Sequence, residues 1–116
     1  MSQKILVVED DAAARVGLTA LLSESGYLVY AASSLPEAFR LIQQHSPDLL
    51  LTDIRLAADN GLQLLVMNPR GIPAVVMSGH PDPTLEREAN KLGAEFILKP
   101  ISPASLLELI ERKLSG

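Results

Sequence analysis

The uninterrupted run of apolar or β-tolerant residues at 49–52, which ends directly in Asp53, limits the possible folds of this 116-residue chain more than any other stretch. A strand with one solvent-facing side alternates apolar and polar residues, whereas a strand covered on both sides does not. The run therefore predicts a central strand of a parallel sheet with helices on both faces. Asp53 follows at the carboxyl end of that strand, where open α/β sheets bind ligands. Taken alone, it is equally compatible with a turn residue.

Short apolar runs and helical patterns alternate along the whole chain. Strands are predicted at residues 4–8, 28–32, 49–53, 74–77 and 96–98, and helices begin near residues 12, 35, 61, 83 and 103. Ser34, Asp82 and Ser102 are predicted helix caps, each followed within two residues by a proline. Residues 54–60 are expected to form a loop, and Pro69 to end a short third helix.

This alternation predicts an α/β fold, a (βα)5 doubly wound five-stranded parallel sheet with the flavodoxin-like strand order 2-1-3-4-5. The length suits one domain with a real core, so residues 1–116 are expected to form a single domain. The predicted order places the first and third strands side by side. Residues at their carboxyl ends should therefore lie close together.

The helices carry the remaining apolar side chains of the predicted core. The first helix offers Val16, Leu18, Leu21 and Leu22 for burial, and the fourth offers Leu85, Ala89 and Leu92. The last helix carries more apolar residues than one narrow stripe needs. We expect Leu106 or Leu109 to stay partly exposed and to contact a partner, the alternative being that the whole stripe packs on the sheet.

The composition argues against several functions. The formal net charge is −4 and the basic residues are scattered, so direct nucleic-acid binding by this domain is not expected. No apolar run approaches the ~20 residues that span a membrane. Cysteine is absent, which fits a cytoplasmic location and leaves no thiolate chemistry.

Four of the five predicted strands end in side chains that can bind ligands or react: Glu9-Asp10-Asp11, Asp53, Ser78 and Lys99. Each has an ordinary explanation, because acids favour helix starts, Ser-Gly favours turns and a lysine pairs with surface acids. Their occurrence at successive strand ends favours one shared site. Clustered carboxylates suit Mg²⁺, and a hydroxyl with an ammonium suits a phosphoryl group beside it.

The chain resembles the receiver domain of two-component response regulators of the chemotaxis-regulator type. The resemblance rests on residues 5–11, 47–55, 60–61, 77–80, 93–94 and 96–100. It implies that Asp53 is the phosphoacceptor, which takes a phosphoryl group from a histidine kinase or a phosphotransfer protein. It also implies a Mg²⁺ (or Mn²⁺) site made of Glu9, Asp10, Asp53 and the backbone carbonyl of Arg55. Asp11 matches a position that is not usually a ligand.

The same resemblance implies a switch. Ser78 and Lys99 would contact phosphoryl oxygens, and Phe96 would rotate inward as Ser78 moves. The face formed by the fourth helix, fifth strand and fifth helix would change and could form a homodimer. Arg55 and His80 match positions that tune phosphoryl lifetime, and the bond before Pro100 is expected to be cis.

The sequence departs from the family pattern at three places, and two alternative functions are weighed. Ala57 stands where the family commonly has proline, the third helix is about one turn short, and the segment at residues 94–96 is one residue short before the switch aromatic. The chain could instead be an unphosphorylated binding module. An aspartyl-nucleophile phosphohydrolase is disfavoured, because its general acid would stand at Arg55, which cannot donate a proton near neutrality. We therefore expect a signalling switch with slow self-dephosphorylation, and not an enzyme.

Overall fold

The computed structural model describes residues 2–56, 59–68 and 70–116. Their elements follow in the order β1 (Lys4–Val8), α1 (Ala12–Glu24), β2 (Leu28–Ala32), α2 (Leu35–His45), β3 (Leu49–Asp53), β4 (Arg55–Leu56), β5 (Asp59–Asn60), α3 (Leu62–Val66), β6 (Ala74–Ser78), α4 (Pro83–Lys91), β7 (Ala94–Leu98) and α5 (Pro103–Ser115). Within the described ranges, no helix combines the length and the apolar character needed to cross a membrane.

The five longer strands form one parallel sheet in the order β2-β1-β3-β6-β7. Without the two short strands this is the predicted order 2-1-3-4-5, so the doubly wound α/β fold is confirmed. The register pairs Val8 with Thr52, and Asp53 with Met77. The carboxyl ends of β1, β3 and β6 are therefore level, and the residues that follow them share one edge.

Both faces of the sheet are covered. In β1, Ile5 and Val7 belong to a core cluster with side chains of α1 and α5, whereas Leu6 and Val8 belong to a cluster with α2, α3 and α4. Every residue of β3 is buried. This explains why residues 49–52 show no polar alternation, because neither side of the strand meets solvent.

The predicted helix caps are present. Ser34, Asp82 and Ser102 each accept a backbone N–H of the first helical turn through a side-chain oxygen. The prolines at 36, 83 and 103 lie in those first turns, where a missing N–H costs nothing. Local sequence therefore sets where α2, α4 and α5 begin.

The predicted loop at residues 54–60 is wrong in part. β4 and β5 pair antiparallel, with Arg55 opposite Asn60 and Leu56 opposite Asp59. A ladder of two residues a side is too short to show an alternating pattern, so sequence periodicity could not reveal it. Ala57 and Pro69, for which expectations were stated, lie outside the described residues. The third helix is short, with five residues.

Several burial predictions are corrected. Val16 is 67% exposed, because it lies on the opposite side of α1 from Leu18 and Leu22. Leu92 is 42% exposed, because α4 ends one residue before it. The expectation that Leu106 or Leu109 stays exposed is wrong.

Leu106 and Leu109 are 2% and 6% exposed, because their i, i+3 spacing places both on the face of α5 that packs against the sheet. β7 also begins two residues before the predicted position, because Ala94 pairs with Ala74 at the start of β6.

Candidate functional site

The acidic run after β1 places its three carboxylates in different surroundings. Glu9 is 1% exposed, Asp10 is exposed, and Asp11 is the N-cap of α1, where its side chain accepts the amide of Ala13 at 3.2 Å. Asp11 is thus engaged with the helix, in line with its exclusion from the expected ligand set.

Glu9, Asp10 and Asp53 converge at the carboxyl edge of the sheet. Each offers a carboxylate oxygen, and these oxygens lie within 4.8 Å of one another. β1 and β3 are adjacent in the sheet, so the residues after Val8 necessarily meet the end of β3. Asp53 is buried, and its Oδ1 accepts the backbone N–H of Arg55 at 3.2 Å.

Lys99 joins the two buried carboxylates. Its Nζ lies 3.0 Å from Asp53 Oδ2 and 3.1 Å from Glu9 Oε2. Lys99 directly follows β7, and its backbone N–H donates to the carbonyl of Ser78 at 2.8 Å. Its side chain is 34% exposed and borders an apolar cavity of about 670 Å³ between α1 and α5. The ammonium of Lys99 is therefore paired with two buried carboxylates and is still accessible to solvent.

The electrostatics of the pair follow from burial and partners. Burial raises the pKa of Glu9, and so does the nearby charge of Asp53, while hydrogen bonds from the Asp11 amide and from Lys99 oppose the rise without cancelling it. Burial by itself lowers the pKa of Lys99, but the hydrogen bonds to Asp53 and Glu9 outweigh it and raise the pKa. The raised pKa values mean that Glu9 and Lys99 each keep a proton to a higher pH than they would in water.

The donor set fits a divalent cation. Three carboxylates face one ammonium in this part of the described chain, which leaves an excess of negative charge when all are ionised. Two of the three are buried, so water screens their repulsion poorly. Oxygen ligands of this kind suit hard ions such as Mg²⁺. Magnesium is thus compatible with the residues that the fold brings together.

Ser78 is buried beside the cluster, but its hydroxyl is bonded within its own turn. Ser78 Oγ donates to the carbonyl of His80 at 2.8 Å and accepts the backbone N–H of His80 at 3.2 Å. The side chain of His80 is exposed. Ser78 therefore lies at the expected strand end with its proton directed toward the backbone of residue 80.

The structure also describes the remaining expected residues. Phe96 is half-buried against the core cluster on the α4 side of the sheet. The Lys99–Pro100 peptide bond is cis, as expected. Arg55 is exposed at the start of β4. Leu98 is 46% exposed on β7.

Three residues at the site were missed by sequence reasoning or given no role. Arg15 Nη1 donates to the Glu9 carbonyl at 2.8 Å, and Thr52 Oγ1 donates to the Asp53 carbonyl at 3.0 Å. Gly61 is buried against the backbone of Asp53. An arginine in the second turn of a helix that follows an acidic loop is a readable signal, whereas the other two contacts depend on tertiary packing.

Comparisons with known sequences agree on one family. Residues 5–111 match the response regulator receiver domain. The chain is 31% identical over 117 residues to the transcriptional regulatory protein PdtaR of Mycobacterium tuberculosis, covering 97% of this chain and 57% of the relative. It is 34% identical over 117 residues to the transcriptional regulatory protein FixJ of Azorhizobium caulinodans, covering 97% and 56%. The chain thus spans little more than half the length of these relatives.

Solved structures show the same architecture. A CheY-like receiver domain protein from Methanospirillum hungatei is 30% identical, with a TM-score of 0.93 over 99% of this chain and 95% of that one. The chemotaxis protein CheY4 of Vibrio cholerae has a TM-score of 0.89 over 97% of this chain and 98% of that one. At 24% identity, the second similarity is evidence for the fold alone.

Proposed function

The chain belongs to the response regulator receiver domain family, and on this premise we propose that residues 1–116 act as a single phosphorylatable receiver. Receiver domains of this family are signalling switches. The observation that carries the proposal is the position of Lys99 Nζ, 3.0 Å from Asp53 and 3.1 Å from Glu9, beside the three clustered carboxylates. This arrangement places a nucleophilic carboxylate and a counter-charge for a phosphoryl oxygen side by side.

The phosphoryl group is transferred to a carboxylate oxygen of Asp53. A new O–P bond forms while the P–N bond of the donor's phosphohistidine breaks, and the electron pair of that bond returns to the imidazole. The donor is a histidine kinase or a phosphotransfer protein, which family membership supports. Because such transfer requires little covalent chemistry from the acceptor, positioning and charge neutralisation supply most of the rate.

The chain's own residues prepare Asp53 for this step. The Arg55 amide fixes one carboxylate oxygen, and Lys99 holds the other. When the phosphoryl group arrives, Lys99 exchanges its bond to the carboxylate for one to a phosphoryl oxygen. Ser78 turns from the His80 carbonyl toward another phosphoryl oxygen. Both groups then stabilise the negative charge of the phosphoryl oxygens, which is absent from the site before transfer.

Glu9, Asp10, Asp53 and the carbonyl of Arg55 would hold Mg²⁺ or Mn²⁺. When bound, such an ion neutralises charge on the phosphoryl oxygens. Arg55 and His80, which lie two residues beyond Asp53 and Ser78, would tune how long the aspartyl phosphate survives.

The output of the switch is the face formed by α4, β7 and α5. Rotation of the half-buried ring of Phe96 accompanies the movement of Ser78. The exposed side chains of Leu92 and Leu98 give this face the apolar surface that a homodimer contact uses. We propose that the domain binds neither nucleic acid nor a membrane, and that it acts in the cytoplasm.

Incubation with acetyl phosphate and Mg²⁺, followed by intact mass spectrometry, tests the proposal. We expect one added phosphoryl group in the wild type and none in Asp53→Asn. Asp48→Asn is the matched control, because Asp48 is exposed at the opposite end of the same strand. Absence of any adduct would leave an unphosphorylated binding module. Turnover of a phosphomonoester would indicate a phosphohydrolase, which the exposed guanidinium of Arg55 disfavours as general acid.

A further inference from the structure

Gly61 occupies a position where a side chain has no room. Its φ and ψ of −58° and −21° are ordinary helical values that any residue adopts. A β-carbon at Gly61, however, would overlap the carbonyl oxygen of Asp53 and would lie 3.1 Å from both the carbonyl carbon of Asp53 and Thr52 Oγ1. Glycine is therefore required here for space and not for backbone conformation.

The backbone around the Asp53 carbonyl is held from several sides. Thr52 Oγ1 donates to this oxygen at 3.0 Å. The next amide, that of Ile54, donates to the Met77 carbonyl of β6 at 2.8 Å, and the Ile54 carbonyl accepts the N–H of Gly61 at 2.8 Å. The chain on either side of the Asp53–Ile54 peptide is thus tied both to the sheet and to the turn that contains Gly61.

The carboxylate of Asp53 depends on the same segment. Its Oδ1 accepts the N–H of Arg55 at 3.2 Å, and Arg55 is paired with Asn60 in the β4–β5 ribbon, directly before Gly61. If the Asp53 carbonyl moved to admit a larger residue at 61, the Asp53–Ile54 peptide would rotate. The Arg55 amide and the Asp53 side chain would then lose their common alignment.

We propose that Gly61 is a positioning residue for phosphoryl acceptance. Its missing side chain lets the turn between β5 and α3 close on the backbone of Asp53. This contact fixes the direction of the Asp53 carboxylate and of the Arg55 carbonyl, both expected metal ligands. The inference rests on the proposed function, but the placement of the ligands can be tested separately from phosphoryl transfer.

The test compares Gly61→Ala with Gly17→Ala. Both variants add the same carbon atom, but Gly17 lies on α1 with nothing within 4 Å of the added atom. Each protein is labelled with acetyl phosphate at a temperature where circular dichroism shows it fully folded. We expect Gly61→Ala to be labelled at least about tenfold more slowly, since misplacement by about 1 Å can cost about a hundredfold. Gly17→Ala should match the wild type.

Isothermal titration with Mg²⁺ provides a second measurement that does not depend on transfer. We expect weaker Mg²⁺ binding by Gly61→Ala and unchanged binding by Gly17→Ala. A purely structural role of Gly61 would lower stability without changing either property of the folded protein. Equal labelling rates and equal Mg²⁺ affinities in the two variants would overturn the inference. A wild type that is never labelled would instead refute the proposed function, while the affinity comparison would still test Gly61.

If Gly61→Ala does not fold, Asn60→Ala provides an alternative test of the same turn. The exposed Asn60 accepts the N–H of Leu62 through Oδ1 at 2.8 Å, so the variant loosens the turn without adding an atom. Slower labelling and weaker Mg²⁺ binding by Asn60→Ala would support the positioning role. Wild-type values for both would exclude it.

Discussion

The hydroxyl of Ser78 donates a hydrogen bond to the backbone carbonyl of His80, 2.8 Å away, and accepts the backbone N–H of the same residue at 3.2 Å. The hydroxyl that is expected to meet a phosphoryl oxygen is therefore already satisfied within its own turn. Its movement toward Asp53 gives up both hydrogen bonds to His80, so the new bond to a charged phosphoryl oxygen has to outweigh them.

Replacement of Ser78 should separate phosphoryl acceptance from stability. Ser78→Ala removes a donor to the transferring group, and we expect labelling by acetyl phosphate to slow by about one to two orders of magnitude. Loss of the turn's hydrogen bonds should lower the free energy of unfolding by about 1 kcal/mol. Ser78→Thr keeps the hydroxyl and should retain most of the rate. Equal labelling of the alanine variant and of Ser105→Ala, an exposed control on α5, would contradict this role.

Removal of the ammonium should make stability more dependent on metal. In Lys99→Met, Glu9 and Asp53 lose their shared partner, and the free energy of unfolding without metal should fall by about 1–2 kcal/mol. The loss stays moderate because the Lys99 side chain is 34% exposed and solvent screens the pair.

Urea unfolding with Mg²⁺ and with EDTA measures this dependence. Added Mg²⁺ should restore more stability to Lys99→Met than to the wild type, because a cation compensates for the missing ammonium. Lys91→Met, which removes an exposed ammonium on α4, is the control. An equal gain with Mg²⁺ in all three proteins would exclude a shared charge site.

Glu9→Gln should stabilise the metal-free protein near neutral pH. Burial raises the pKa of Glu9, so the folded protein keeps this proton to a higher pH than the unfolded chain does. The contribution of Glu9 to stability is consequently greatest below its ordinary pKa of 4.5 and declines as the pH rises through the raised pKa. Glutamine does not titrate and is free of this decline.

Urea unfolding in EDTA at a series of pH values measures the effect. The gain in stability of Glu9→Gln over the wild type should grow across that window and then level off. Glu88→Gln, which changes an exposed carboxylate on α4, should show a flat difference. A difference for Glu9→Gln that does not vary with pH would contradict the cause given for its pKa.

Leu106 of α5 and Leu98 of β7 should differ in their contribution to stability, because one is buried and the other is exposed. Leu106→Ala should lower the free energy of unfolding by about 2–4 kcal/mol, because Leu106 is 2% exposed between α5 and the sheet. Leu98→Ala should lower it by less than about 1 kcal/mol, because Leu98 is 46% exposed. Urea unfolding of both variants distinguishes the positions, and equal losses would contradict the assignment.

Leu98→Ala should also weaken self-association of the phosphorylated protein. Truncation removes exposed apolar area from the proposed dimer face, and its loss of contact should raise the dissociation constant. Sedimentation of the acetyl-phosphate-treated protein measures the change. Val16→Ala, which truncates a 67% exposed side chain on α1, is the matched control. Equal effects of the two substitutions would argue against this face.

The strand pattern and the caps were predictable because each depends on a few neighbouring residues. Asp53 shows why the site could also be located: parallel strands bring their carboxyl ends together, so separate strand-end residues imply one cluster. The direction of the Ser78 hydroxyl could not be predicted in this way, since it depends on the path of the following turn. The exposure of Leu92 escaped prediction because α4 ends one residue earlier than its apolar spacing suggests.

The three consecutive carboxylates at residues 9–11 are chemically similar but have different neighbours. Glu9 pairs with Lys99, Asp10 lies in the carboxylate cluster with Glu9 and Asp53, and Asp11 accepts a helix amide. Exchanging Glu9 with Asp10 or with Asp11 would preserve composition and net charge while changing the side-chain length at two of these positions. A mutational library that scores such exchanges as conservative would therefore misrank its variants.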